Sequence, residues 1–386
     1  MQRGTFQLMK SVNKSIVLNK IRTSEPISRA QIAKETSLTP PTVSSIVREL
    51  IEQELVKESS LGESQGGRKP TLLLVNEDGF HVIGVDAGPK TIECILSNLS
   101  GHIKDRIVVP IERPLTNESF LNLLKNSIYK ILKKLSSREN ILGIGMAMHG
   151  VVDIETGTSL IAPILQLRDI PIKEELEREF DLVVNVENDA RAMALGEAWF
   201  GQYGKVSSMM AVNLGSGVGA GVVVDGKLYH GANDLAGEVG HMTIDMNGER
   251  CECGNRGCLE SFASAPSIVK RANKLLPEKN ILSSQELFDL AVQNDQECID
   301  LLKETGVIIG IGLTNLVHII NPELIILGGG VSKSEQFILD PIKKTISERG
   351  LTEEAKKTEV AISKLGDDAT SLGAVALLLV ELFDPR

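Results

Sequence analysis

The sequence predicts a winged helix-turn-helix head, mainly helical, followed by an α/β body of two lobes. Three observations predict it. Two short helix patterns joined by a tight turn precede a Gly/Ser-rich hairpin within the first 76 residues. Past residue 80, strand and helix patterns alternate, as they do in α/β proteins. Within that alternation, the arrangement strand, Gly-containing loop, strand, turn, strand occurs twice. A chain of 386 residues is long enough for two or three domains with their own cores. The expected domains are residues 1–76 (head), 77–190 (first lobe) and 191–386 (second lobe), with a C-terminal helix packing back on the first lobe.

In the head, Ser28-Arg29-Ala30-Gln31 has capping-box form and opens a short helix ending near Thr36. Ser37-Leu38 makes the turn. Thr39 is an N-cap, and Pro40 sits at the first helical position, where its missing N–H costs nothing. The next helix places Val43, Ile46, Val47, Leu50 and Ile51 on one stripe. Its other face offers Thr42, Ser44, Ser45 and Arg48, small polar groups with one long cation, suited to base edges and phosphates. Leu55–Glu58 and Thr71–Val75 flank a wing whose tip runs Gly66-Gly67-Arg68-Lys69-Pro70. Two glycines followed by two cations suit a narrow minor groove. The candidate DNA contacts are Ser28, Arg29, Thr39, Thr42, Ser44, Ser45, Arg48, Gly67, Arg68 and Lys69. The bland alternatives are a solvated wing loop and a protein-binding helical bundle.

Charge fits the DNA reading. The first fifty residues hold eight Lys and Arg against three Asp and Glu, although the whole chain carries −10. A basic head on an acidic body is the asymmetry of a chain that touches nucleic acid through one small module. The longest apolar stretch, Val307 to Leu327, is broken by polar residues, so it reads as a buried helix followed by a strand and not a membrane span.

In the body, the first repeat is His81–Asp86, Thr91–Ser97 and His102–Ile111; the second is Met209–Leu214, Val218–Val224 and Lys227–His230. This is the layout of actin-like (ribonuclease H-like) sugar kinases, whose two lobes close on a phosphate donor and a sugar. The Gly-rich turn Asn213–Gly219 and Gly328-Gly329-Gly330 could approach phosphate or nucleotide with backbone N–H groups. Asn188-Asp189 ends an apolar run and begins a helix. The pair either hydrogen-bonds vicinal sugar hydroxyls or simply caps the helix.

His241, Cys251, Cys253 and Cys258 form a Cys₃His set suited to a structural tetrahedral zinc. Gly254 and Gly257 supply the backbone freedom a chain wrapping one ion needs. No N-terminal apolar run resembles a signal peptide, so these thiols read as metal ligands in a reducing cytoplasm, not as a disulfide framework. Cys94 and Cys298 read as isolated buried thiols.

Together these pieces resemble the ROK family of repressors and sugar kinases. Gly237-Glu238-Val239-Gly240-His241, with Cys251-x-Cys253-Gly-x-x-Gly-Cys258-x-Glu260, matches its zinc and sugar signature. The N-terminal winged helix resembles the repressor branch, which responds to xylose, N-acetylglucosamine or glucose; the family's kinases lack it. The resemblance implies zinc ligands His241, Cys251, Cys253 and Cys258. It implies sugar contacts from Asn188, Asp189, Glu238, His241 and Glu260, with Asp189 at the position of the kinases' general base.

Departures from the kinase pattern accompany the match. The kinase phosphate loop Asp-x-Gly-Gly-Thr-Lys is here Asp86-Ala87-Gly88-Pro89-Lys90-Thr91, which removes an N–H and a flexible glycine. The Asn-Leu-Gly-Trp segment after Ala-Pro is replaced by Ile164-Leu165-Gln166-Leu167. His149 stands where the family often has proline, and either faces the ligand or sits in a surface loop. The expected protein is a non-enzymatic, cytoplasmic repressor of carbohydrate genes. It binds pseudo-palindromic operator DNA and a monosaccharide, and forms a homodimer or a tetramer built from it. A sugar kinase carrying a DNA-binding head is the alternative.

Overall fold

The computed structural model describes residues 12–61, 70–135, 140–204 and 206–383. In the head, α1 (Val12–Ser24) leads through the two-residue strand β1 (Ile27–Ser28) to α2 (Arg29–Thr36) and α3 (Pro40–Glu52). Ser28 accepts the Gln31 N–H at 3.2 Å, but Gln31 Nε2 donates forward to Glu35 at 2.9 Å. Only half of the expected capping box therefore forms, because an i,i+4 partner competes for the glutamine. Ser37 takes φ 58°, which ends α2 and turns the chain toward the Thr39 cap of α3. Val43, Ile46, Val47 and Leu50 are buried as the stripe predicts, and Ile51 is half-buried. The strands β2 (Val56–Leu61) and β3 (Thr71–Val75) pair antiparallel, and β1 adds to the free edge of β3. Gly66, Gly67, Arg68 and Lys69 lie outside the described residues.

The body repeats one sheet plan. In the first copy, β4 (His81–Ala87), β5 (Thr91–Asn98) and β6 (Ile103–Pro110) form an antiparallel meander. β7 (Ile141–Met148) then pairs β4 in parallel, and β11 (Val183–Asn188) lies beyond it, giving the order β11-β7-β4-β5-β6. The second copy has the meander β12 (Ser208–Leu214), β13 (Val218–Val224) and β14 (Lys227–Leu228), then parallel β15 (Leu324–Gly328) and β16 (Glu359–Ile362). Its order, β14-β13-β12-β15-β16, is the same plan. Every residue of β7 and β15 is buried, as expected of central parallel strands that read as unbroken apolar runs.

The chain divides into two units, Met1–Glu187 with Ala374–Arg386, and Asn188–Gly373. In the first unit, α4 (Asn117–Leu132), the three-stranded sheet β8 (Val151–Asp153), β9 (Thr158–Ala162), β10 (Leu167–Ile170), and α5 (Ile172–Phe180) surround the first body sheet. The end of α12 (Ala369–Phe383) also belongs to this unit. Leu378 lies against Gly143 and Gly145 of β7, Asn185 Nδ2 donates to Glu381 Oε2 at 3.1 Å, and Arg22 of α1 stands 5.5 Å above the Phe383 ring.

The second unit holds α6 (Asp189–Phe200), α7 (Glu260–Ala263), α8 (Ala265–Leu275), α9 (Ser284–Val292), α10 (Gln296–Ile320) and α11 (Glu335–Arg349). Among the described residues, α10 alone is long and apolar enough to cross a membrane by length and composition. Half of its most apolar window is buried, and Gly306 and Gly310 let it approach Ile338 and Thr345 of α11 closely. It is a core helix of this unit, as the polar interruptions predict.

Candidate functional site

The second unit gathers the sequence-predicted ligand residues from three segments. The first is the start of α6. Asn188, buried, caps the helix by accepting the N–H groups of Ala190 and Arg191 at 3.0 and 3.1 Å, and its Nδ2 donates to Asp189 Oδ1 at 3.0 Å. The two readings of Asn188-Asp189 are thus not exclusive: Asn188 does cap, while Asp189 stays half-exposed on the first turn. The second segment carries Glu238 and leads through a short 3-10 turn to His241. The third is α7, whose first residue, Glu260, accepts the Val218 N–H at 3.0 Å through Oε2.

Electrostatics ties the three segments together. Burial pushes the Glu238 carboxyl above its usual range; the charges of His241 and Arg191 pull it back, while those of Asp189 and Glu260 push it further up. Side chains from all three segments therefore act on one carboxylate. Carboxylate acceptors beside an imidazole and an amide can pair with vicinal hydroxyls, since each hydroxyl both donates and accepts.

The metal-type residues also converge. One ligand atom each from His241, Cys251, Cys253 and Cys258 lies within 4.8 Å of the others. Cys253 Sγ is 3.7 Å from Cys258 Sγ, and Cys251 Sγ is 3.8 Å from His241 Nδ1. A tetrahedron with metal–sulfur bonds of about 2.3 Å has edges of about 3.8 Å, so the donor set fits such an ion. A disulfide would need sulfurs about 2.05 Å apart, and all five cysteines are free. Gly254 and Gly257 take φ of 99° and 64°, as the wrapping requires. Burial, with hydrogen bonds from Cys253 and Cys251, pushes the Cys258 thiol up to about 12, whereas the Asn255 backbone draws Cys253 down. A bound cation would deprotonate such a thiol outright. Glu260 Oε1 lies 3.9 Å from Cys251 Sγ, so the cluster abuts one of the carboxylates that the sequence predicts as sugar contacts.

The phosphate-loop position in the first unit is internally occupied. The Gly88 N–H donates to Thr91 O at 3.1 Å, Pro89 has no N–H, and Arg113 Nη2 holds Pro89 O at 3.0 Å. His149 is buried and its Nδ1 lies 3.3 Å from Ala87 O, which can only accept, so Nδ1 carries the proton. The surface-loop alternative for His149 is therefore incorrect: it braces the turn from beneath. In the second unit, the Gly215 N–H donates to Gly217 O at 2.9 Å and the Val218 N–H goes to Glu260. One backbone donor of the first turn and two of the second are thus held within the protein.

On the head, Ser45 and Arg48 are exposed on α3, and Thr42 and Ser44 are half-exposed. Thr39 and Thr42 hydroxyls lie 2.8 Å apart, and Ser28 and Thr39 oxygens serve as caps. Arg29 Nη2 pairs with Glu58 of β2 at 2.8 Å. Arg29, Ser44, Arg48 and Lys57 line one open groove together with Glu52 and Glu58.

Sequence reasoning missed Arg191, the Val218 N–H and Arg113. Arg191 had a signal: it is a lone cation among small residues in Asp189-Ala-Arg-Ala-Met-Ala-Leu-Gly196, a helix apolar enough to be buried.

Two family models match the chain. A family model described as the ROK family matches residues 82–381, and one described as winged helix-turn-helix DNA-binding matches residues 18–57. A xylose repressor from Caldicellulosiruptor bescii is 36% identical over 391 residues, covering 98% of each chain. A crystal structure of a ROK family transcriptional regulator, a homolog of the E. coli Mlc protein, superposes with a TM-score of 0.86 at 27% identity, covering 97% of this chain and 96% of that one. A ROK family glucokinase from Streptomyces griseus, solved with glucose and AMPPNP, gives 0.69 at 28% identity, covering 77% of this chain and 98% of that one.

Proposed function

This chain belongs to the ROK family, and from that premise we propose how its sugar-responsive, DNA-binding repression works. It is a repressor and not a sugar kinase. Asn188, Asp189, Glu238, His241 and Glu260 bind a monosaccharide, and the winged helix binds operator DNA through α3 and the wing. The observation that carries this reading is that Arg191, on the helix turn bearing Asn188 and Asp189, holds the carbonyls of Asp234 and Ala236 next to Glu238, while Glu260 Oε1 lies 3.9 Å from Cys251 Sγ, itself 3.8 Å from His241 Nδ1. Xylose is the first sugar to test, because a relative 36% identical over 98% of this chain is a xylose repressor.

His241, Cys251, Cys253 and Cys258 hold a structural zinc; four protein ligands leave no position for a reactive water. With an ion bound, His241, Cys251, Cys253 and Cys258 would fix the segment that ends at Glu260, and with it the placement of that carboxylate. Sugar binds more tightly to the arrangement that binds DNA poorly, so occupancy releases the operator. The protein acts in the cytoplasm as a homodimer, and its two heads read a pseudo-palindrome.

Pro89, which lacks an N–H and replaces a flexible glycine, and the Gly88 N–H held by Thr91 O support loss of phosphoryl transfer, which depends on such a cradle. A monosaccharide titration of the protein bound to a selected operator fragment tests the reading. Release in the wild type, lost in Asp189→Asn, is expected. Release that persists in Asp189→Asn would put the sugar elsewhere.

A further inference from the structure

Arg191 is the largest fully buried side chain in the described structure, with 1% of its surface exposed. It sits on the first turn of α6, two residues after Asp189, and its own N–H is held by the Asn188 cap. Its guanidinium turns away from solvent toward the segment that carries Glu238. Nη1 donates to Asp234 O at 2.8 Å and to Ala236 O at 3.3 Å.

A buried guanidinium costs several kcal/mol unless its donors and its charge are both answered. Here the carbonyls of Asp234 and Ala236 answer the donors of Nη1, and the guanidinium charge favours the ionised form of the Glu238 carboxyl.

The held segment is also tied to β13. Gly237 O accepts the Ala220 N–H of β13 at 2.8 Å, and Gly237 takes φ 100° with no room for a Cβ, which would lie 1.9 Å from Ala220 O. Asp234, exposed Leu235 and Ala236 precede that anchor, with Ala236 N–H on His230 O at 3.0 Å. Arg191 thus joins the helix turn bearing Asn188 and Asp189 to the segment bearing Glu238. A planar fork reaching two carbonyls two residues apart defines position as well as distance; a lysine ammonium, a point donor, does not.

We propose that Arg191 is a positioning residue for sugar recognition, setting the placement of Glu238 relative to Asn188 and Asp189 by gripping the carbonyls of Asp234 and Ala236. The inference rests on the reading of these residues as the sugar site. A displacement of about 1 Å in one half of a polar site is enough to misalign its hydrogen bonds to a rigid ring.

The test compares wild type, Arg191→Met, Arg191→Lys and Asp189→Asn. The probe is the member of a panel of xylose, glucose and N-acetylglucosamine that raises the wild-type Tm most. Calorimetric titration far below Tm reads Kd, alongside bound metal per chain and Tm. Arg191→Met is expected to weaken the sugar at least thirtyfold (~30-fold, about 2 kcal/mol), and Arg191→Lys about fivefold to tenfold (~1 kcal/mol), both with wild-type metal content. A residue acting through stability alone would lower Tm and leave Kd unchanged, and that result overturns the proposal. If Arg191→Met fails to fold, Arg191→Lys decides: a weakened sugar at near-normal Tm supports the role, and an unchanged Kd ends it. Unchanged binding in Asp189→Asn, or no panel sugar binding the wild type, defeats the site reading and the proposal with it. Loss in Asp189→Asn with none in either Arg191 variant defeats the proposal alone.

Discussion

Replacing Glu260 by glutamine removes one charge from the site while keeping the length of the side chain. In the structure, Glu260 Oε2 accepts the Val218 N–H at 3.0 Å, and Gly217 lies directly beneath the carboxylate. The glutamine carbonyl can keep the Val218 bond, but as a neutral acceptor. Hydrogen bonds to charged groups contribute about 1.5–3 kcal/mol and neutral ones about 0.5–1.5, so the exchange costs about 1 kcal/mol at Val218. For a unit of this size that is a fall in Tm of about 2–4 °C. The same weakening at a sugar hydroxyl, about 1–2 kcal/mol, lowers sugar affinity about 5- to 30-fold. Calorimetric titration with sugar, beside DNA retention at fixed salt, reads both quantities. DNA retention without sugar should not change, because the head belongs to the other unit. Unchanged sugar affinity, or DNA binding lost at near-normal Tm, would refute the assignment of Glu260.

Four further outcomes are expected. Cys258→Ser removes a fully buried donor of the His/Cys set, so bound metal, measured by emission spectroscopy, should fall far below that of the wild type and Tm should fall with it, while DNA retention persists. Gly237→Ala forces a Cβ into Ala220 O at φ 100° and should destabilise by at least about 1–3 kcal/mol in urea unfolding, with sugar affinity reduced. Arg48→Ala, on the exposed face of α3, should weaken retention on DNA of every sequence and reduce the salt slope of binding by about one, as loss of a phosphate contact does. Asp295 caps α10 through the Cys298 N–H at 3.1 Å, and its pairing with Lys279 holds its carboxyl below the ordinary 3.8. A depressed acid stabilises above its unfolded pKa and loses that contribution as pH falls through its folded value. The Tm deficit of Asp295→Asn should therefore be full at pH 7 and shrink below about pH 4.

How much of this was legible in the sequence depends on the range of the interaction. The body strands could be bounded to within a residue or two because Gly, Asn and Asp mark each hairpin; β13 runs Val218–Val224 as expected. The α3 stripe and the Thr39-Pro40 start were equally local. The capping box failed locally too, since nothing in Ser28–Gln31 shows that Glu35 competes for the glutamine. The Cys₃His set was legible because three of its members lie within eight residues. Arg191 was not, because its partners are 43 and 45 residues away and are backbone carbonyls, which carry no sequence signature. The brace of Arg113 and His149 on the Ala87–Pro89 turn was hidden for the same reason: only the fold brings residues 24 and 62 positions apart together.

The central claim is that one sugar, held by Asn188, Asp189, Glu238, His241 and Glu260, controls DNA affinity. The direct measurement is fluorescence anisotropy of a labelled operator, selected from a random library with the wild-type protein, titrated with xylose, glucose and N-acetylglucosamine. One sugar should weaken operator binding by about 5- to 150-fold in the wild type, the usual span of such coupling. In Asp189→Asn, the operator should bind as tightly as in the wild type, and the sugar should leave it bound. An equal sugar effect in both proteins, or none with any sugar in a folded, metal-loaded wild type, would contradict the account.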